Sequence, residues 1–346
     1  MRALAPLVAL VIVASSCAAP ATSAPSTATG AAATPSPSPS PLQKVKALWV
    51  AKVANMAPAL VAQEAGYFRE EGLDLSLDYV NGSPIGMAAL VSGEVDFLQV
   101  AGSAVVTAAA SAPSDPRSPV LIIGTVNKSV FKLMVAKGIT SVEQLRGKTL
   151  FVSRPGTADE FTLKAFLRQN KLDPDKDVTI LAAGSLEAAV AALDAKRGEA
   201  GVFSSPLTAL LQSKGYVTLV DFATQDLPLL QLGAATTRAY AAAHPDTVTR
   251  FVRAYIRGIH RFKTDKAFAQ KVMAKSLDIS DQAQLDDAFD TYKDVFEKVP
   301  LPSEAAVKGV IDQVAQAKGL LPSAFIDDRF VKQVQADGFI TRLYGN

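Results

Sequence analysis

The chain has 346 residues, enough for two domains at roughly 100 to 200 residues each. Its 35 Lys and Arg nearly balance 33 Asp and Glu, a net charge of +2, which argues against a nucleic-acid binder driven by phosphate neutralisation. Hydrophobic residues make up 49% and charged residues 20%. No apolar run reaches the roughly 18 residues that repeated membrane spans require.

Met1 and Arg2 precede an apolar stretch over 3–13, and Ala14-Ser15-Ser16-Cys17 follows. Charge, short apolar core and small residues in that order are expected of a secretory signal over 1–17. The only cysteine excludes an internal disulfide framework or a thiolate-rich zinc site. Directly after small residues, it resembles the lipobox of bacterial lipoproteins, with Ala14 where a larger aliphatic is usual. Cys17 is therefore the expected lipidation site, anchoring an exported protein to the membrane. Residues 18–41 are almost entirely Ala, Pro, Ser and Thr, too poor in apolar surface to fold, and read as an extended tether.

From Leu42 the pattern alternates between strand and helix. A buried strand is predicted over 46–51, a helix over 58–70, and a strand over 73–80, where Leu-Asp-Leu-Ser-Leu alternates with period two. Asn81-Gly82-Ser83-Pro84 should open a helix through Ser92, followed by a strand over 93–100, a short helix from Gly102-Ser103 and an apolar strand over 120–126. The alternation then repeats: Ser141 caps a short helix, and strands are predicted over 148–153, 177–182, 199–203 and 216–220. Helices between them open at Gly156-Thr157, Gly184-Ser185 and Ser204-Ser205-Pro206. After 230–236 the chain reads as mainly helical, with a long helix starting near Thr247. Ala88-Ala89-Leu90 with Gly93-Glu94-Val95-Asp96-Phe97 is echoed by Ala191-Ala192-Leu193 with Gly198-Glu199-Ala200-Gly201-Val202-Phe203, which favours two similar lobes.

Nothing in the sequence signals catalysis. His244 and His260 are the only histidines and lack metal-ligand spacing, and no serine elbow, P-loop or dinucleotide fingerprint occurs, so no metal or cofactor is expected. What recurs is a strand ending in small polar residues at a helix start: Gly82-Ser83, Gly102-Ser103, Ser153 with Gly156-Thr157, Gly184-Ser185, and Ser204-Ser205. Helix starts carry unpaired N–H groups, and several facing one crevice would hold an anionic or strongly polar small ligand. Arg154 adds a cation beside one of them, which favours a small organic anion. A neutral or cationic heterocycle would instead want a carboxylate or aromatic rings in the cleft.

Glu64-Ala65-Gly66-Tyr67-Phe68, Ala89-Leu90-Val91-Ser92-Gly93-Glu94-Val95-Asp96-Phe97, and Ser141-Val142-Glu143-Gln144-Leu145-Arg146-Gly147-Lys148 with Ser153-Arg154-Pro155-Gly156-Thr157 resemble the substrate-binding proteins of nitrate, sulfonate, taurine and thiamine-precursor ABC transporters, the NMT1/THI5-like and SsuA/TauA-like group. The resemblance implies an α/β, two-lobed periplasmic-binding-protein fold of type II, each lobe a mostly parallel sheet flanked by helices and joined by two crossover hinge segments. The expected division is 42–127 for the first part of lobe 1, 128–226 for lobe 2, and 227–346 for the return to lobe 1 with C-terminal helices. Hinges are expected near 124–128 and 222–232. By the same match Asn55, Met56, Gly82, Ser83, Gly102, Ser103, Ser153, Arg154, Gly156, Thr157, Ser185, Ser204 and Ser205 would line the ligand cleft. The implied role is a monomeric extracytoplasmic solute-binding lipoprotein that delivers a small organic anion to a membrane permease. The alternatives are a thiamine pyrimidine precursor as ligand, or an enzyme on the same fold.

Overall fold

In the computed structural model, residues 41–225 and 227–345 are described. The expected signal, Cys17, and the tether apart from Pro41 lie outside them. Among the described residues, no helix is long and apolar enough to cross a membrane.

Among the described residues, ten strands form two five-stranded sheets. The first contains β1 (Gln43–Trp49), β2 (Leu73–Tyr79), β3 (Phe97–Val100), β4 (Pro119–Val126) and β10 (Leu232–Thr237), in the order β2-β1-β3-β10-β4. The second contains β5 (Lys132–Val135), β6 (Thr149–Val152), β7 (Thr179–Ala182), β8 (Ala200–Phe203) and β9 (Val217–Asp221), in the order β7-β6-β8-β5-β9. The two orders correspond position by position. Each sheet has parallel pairing on one side and one antiparallel insert, β10 between β3 and β4, and β5 between β8 and β9. Each insert is the first strand laid down after the chain changes sheet. The sequence echo falls on equivalent places in the two sheets, ahead of and within β3 and β8.

The helices of the first sheet are α1 (Ala57–Glu64), α2 (Tyr67–Glu70), α3 (Ser83–Ser92) and α4 (Gly102–Ala109). The stretch expected to be one helix is split because Gly66 takes a left-handed conformation at φ +78°, cheap only for glycine. α3 is bounded by Gly82 (φ +106°) and Gly93 (φ +79°), with Pro84 in its first turn. The second sheet carries α5 (Ala158–Gln169), α6 (Leu186–Asp194) and α7 (Leu207–Ser213). Ser185 caps α6 by accepting the Ala188 N–H at 3.1 Å. The short helix expected after Ser141 is only a 3-10 turn, Glu143–Leu145, and it is held differently: Gln144 Oε1 reaches back to accept the N–H groups of Thr140 and Ser141 at 2.7 and 3.2 Å.

After β10 come α8 (Arg238–Ala243), α9 (Pro245–Thr264), α10 (Lys266–Leu277), α11 (Gln282–Tyr292) and α12 (Glu304–Ile311), then further short helices. They cover mainly the first sheet. Phe97 of β3 stacks on Phe251 of α9 at 3.9 Å between ring centres, both buried, and α9 lies on α1. Gly124 N–H donates to Pro300 O at 2.8 Å, tying β4 to the C-terminal region.

The chain passes between sheets at 127–131 and again through 222–225 and 227–231. Gln231 stitches the two crossings together. Its Oε1 accepts the Val130 N–H at 2.6 Å and its own N–H donates to Val126 O at 2.9 Å. Asn127 anchors the first crossing to the C-terminal region by donating to Leu301 O at 2.9 Å and accepting the Ser303 N–H at 2.9 Å.

Candidate functional site

Parallel strands deliver their C-terminal ends to the same edge of a sheet, and the loops that follow form a crevice there. Here the loops after β1, β2 and β3 meet those after β6 and β7 around a cleft of about 640 Å³, its open mouth included.

Of the residues singled out from sequence, Asn55, Met56, Gly82, Ser83, Ser153, Arg154, Thr157 and Ser185 line this cleft. The others do not. Gly102 allows α4 to approach the second crossing, its N–H donating to Leu230 O at 2.9 Å and its missing Cβ leaving room for Leu230. Ser103 is fully buried and its hydroxyl makes a long 3.5 Å contact with Gly156 O. Ser205 donates to Asp287 Oδ2 of α11 at 2.5 Å, and Ser204 is buried beside the Tyr292 hydroxyl without a well-aligned hydrogen bond. Gly102 thus faces the second crossing, Ser204 and Ser205 face α11, and Ser103 faces Gly156, which does not line the cleft either.

The lining adds residues that the sequence reading passed over: Lys52, Tyr79, Phe131, Asp159, Glu187 and Gln231. Tyr79 is the last residue of the alternating β2, a readable signal. Gln231 had none, because its place depends on how two distant crossings meet. Trp49 is buried and stands behind Tyr79, with ring centres 4.8 Å apart, so it supports the lining from the core. Lys52 pairs with Asp278 and lies 5.5 Å from the centre of the Tyr79 ring. Burial, and then the Glu187 carboxylate of the opposite lobe, push the Tyr79 phenol above its ordinary range.

Arg154 leans across to the first lobe. A Cβ on Gly82 would meet its Cδ and Nε at 2.8 Å, so glycine is what lets the guanidinium stem lie flat on that loop. The Arg154 Nε and the Asn55 Oδ1 are buried without a hydrogen-bond partner, and the Gln231 Nε2 lies beside the Tyr292 hydroxyl without a well-aligned hydrogen bond. Buried polar groups are normally satisfied, so the first two, on opposite sides of one cleft, mark places for a polar ligand. Gln231 is fixed as a donor there because its oxygen is already engaged by Val130.

The start of α5 is different. Asp159, only 3% exposed, accepts the Ser153 N–H at 2.5 Å and the Ser153 hydroxyl at 2.8 Å. Glu160 accepts the Gly156 N–H at 2.6 Å, and the Thr157 hydroxyl donates to Arg154 O at 2.6 Å. Burial pushes the Asp159 carboxyl above its ordinary range, and those hydrogen bonds only partly oppose it. Among the described residues, no cluster of His, Cys, Asp or Glu is arranged to hold a metal ion.

Comparison with known proteins agrees with this architecture. The chain is 25% identical over 217 residues to YtlA of Bacillus subtilis, named as a binding protein, covering 62% of this chain and 64% of that one. The chain thus spans a little under two thirds of that relative. It is 26% identical over 266 residues to the riboflavin-binding protein RibY of Chloroflexus aurantiacus, covering 75% of this chain and 73% of the other. The alkanesulfonate-binding protein SsuA from Xanthomonas axonopodis pv. citri shares the fold with a TM-score of 0.67 at 17% identity, over 83% of this chain and 97% of that one. A two-lobed α/β fold with a cleft between its sheets accompanies a match of residues 53–266 to the family described as NMT1/THI5 like, and to that family this chain belongs.

Proposed function

We propose that this chain is the solute-capturing component of an ABC importer, held outside the membrane by a lipid on Cys17 and the tether that follows. The solute sits between the lobes and stabilises their closed arrangement by touching both, since a ligand shifts such an equilibrium only through its preference for one state. The observation that carries this reading is the pair of unpartnered buried atoms that face one cleft from opposite lobes, Asn55 Oδ1 and Arg154 Nε.

The lining favours a nitrogen heterocycle over a simple organic anion. Tyr79 and Phe131 offer ring faces, Arg154 and Gln231 offer donors to carbonyl-type acceptors, and Asp159 and Glu187 place carboxylates where an anion would be repelled. The riboflavin-binding relative is in keeping with such a ligand. Thermal unfolding against riboflavin and simple aminopyrimidines tests this. Saturable stabilisation is expected, about 2.7 kcal/mol at a hundred times Kd, with the compound recovered unchanged. No response to any heterocycle, or chemical turnover of one, would contradict it.

A further inference from the structure

A sulfonate or carboxylate is held by N–H and O–H donors, and the start of α5 would be the natural place for one in the second lobe. In this chain the donors just ahead of α5 are already engaged. The Ser153 N–H and hydroxyl turn to Asp159, the Gly156 N–H to Glu160, and the Thr157 hydroxyl to Arg154 O. Asp159 is buried, lines the cleft, and takes its hydrogen bonds chiefly from Ser153, and among the described residues it makes no ion pair.

We propose that Asp159 sets the charge selectivity of the cleft: it occupies the two Ser153 donors ahead of α5 and presents a buried carboxylate, so the receptor rejects oxyanions and selects a ligand that brings an N–H donor to this lobe. The inference rests on the cleft being the capture site. The carboxyl's upward displacement by burial fits the assignment, because a charged, unpaired Asp159 is costly until a ligand N–H offsets it.

The test uses methanesulfonate as probe, with calorimetric titration of the folded protein and of Asp159→Ala, which frees the Ser153 donors and removes the charge. The wild type should show no saturable binding up to the highest concentration tested, and Asp159→Ala should bind saturably with a Kd at least about tenfold below that limit, the equivalent of one charge-assisted hydrogen bond. Asp159→Asn keeps the side-chain shape and removes only the charge, so it reports even if the alanine variant fails to fold, with a smaller gain expected. Saturable methanesulfonate binding by the wild type, or no gain in the folded variants, would each overturn the proposal. A wild type that ignores riboflavin and every aminopyrimidine would count against the capture reading while leaving the methanesulfonate comparison intact.

Discussion

Replacing Arg154 by alanine is expected to weaken capture of the cleft's solute about 10- to 100-fold, the span of one buried charged hydrogen bond at about 1.5–3 kcal/mol. The side chain crosses from the second lobe onto the Gly82 loop of the first, and its Nε is buried with nothing to bind. A ligand acceptor at that point satisfies the nitrogen and joins the lobes at once. Lysine should restore only part of the affinity, because a single ammonium on a flexible stem does not reproduce the planar donor edge. Titration calorimetry with the heterocycle identified by thermal shift measures both variants. Affinity within twofold of wild type in Arg154→Ala would remove this residue from the site. Global stability should change little, since among the described residues Arg154 makes no ion pair.

A large effect on folding is expected at Gly258. It sits in α9 where that helix crosses α1, and a Cβ there would lie 2.2 Å from Pro58 O and 2.8 Å from the Ala62 Cβ. The obstacle is backbone, which cannot swing aside as the end of a long side chain can. Gly258→Val should therefore cost about 3 kcal/mol or more, the upper part of the range for overpacking a core. Gly147→Ala makes a useful contrast: its position is open within 4 Å, and only its left-handed φ of +71° opposes a side chain. That strain should cost about 1–2 kcal/mol. Denaturant unfolding of the two variants separates the effects. Comparable losses would mean that the α1–α9 crossing tolerates more than its geometry indicates.

Much of this architecture was readable because parallel strands and helix starts leave local marks. The alternation in Leu73–Tyr79, the Gly-Ser pairs ahead of α3 and α6, and the Pro84 first turn each report a conformation within a few residues. β5 left no such mark. Lys132–Val135 is four residues long and mostly buried, and its place in the second sheet comes from partners about 70 to 90 residues away. The cleft divides in the same way. Gly82, Ser83, Arg154 and Ser185 could be found because they follow strands, whereas Gln231 reaches the cleft only through the meeting of two crossings. Gly102, Ser204 and Ser205 carry the same small polar signature as true lining residues, yet they serve close packing and the junction with α11. Small residues at a helix start therefore show that the chain turns there, without telling which side of the turn a ligand would see. Asp159 adds a further reason: donors visible in sequence can be consumed by the next carboxylate along.

The most direct test is a crystal structure of the protein with its heterocyclic solute bound. The solute should lie between the two sheets, with an acceptor on Arg154 Nε, a second polar contact to Asn55, and a ring face against Tyr79. Density for the solute on an outer face of either lobe, with Arg154 Nε and Asn55 Oδ1 still unmet, would contradict this.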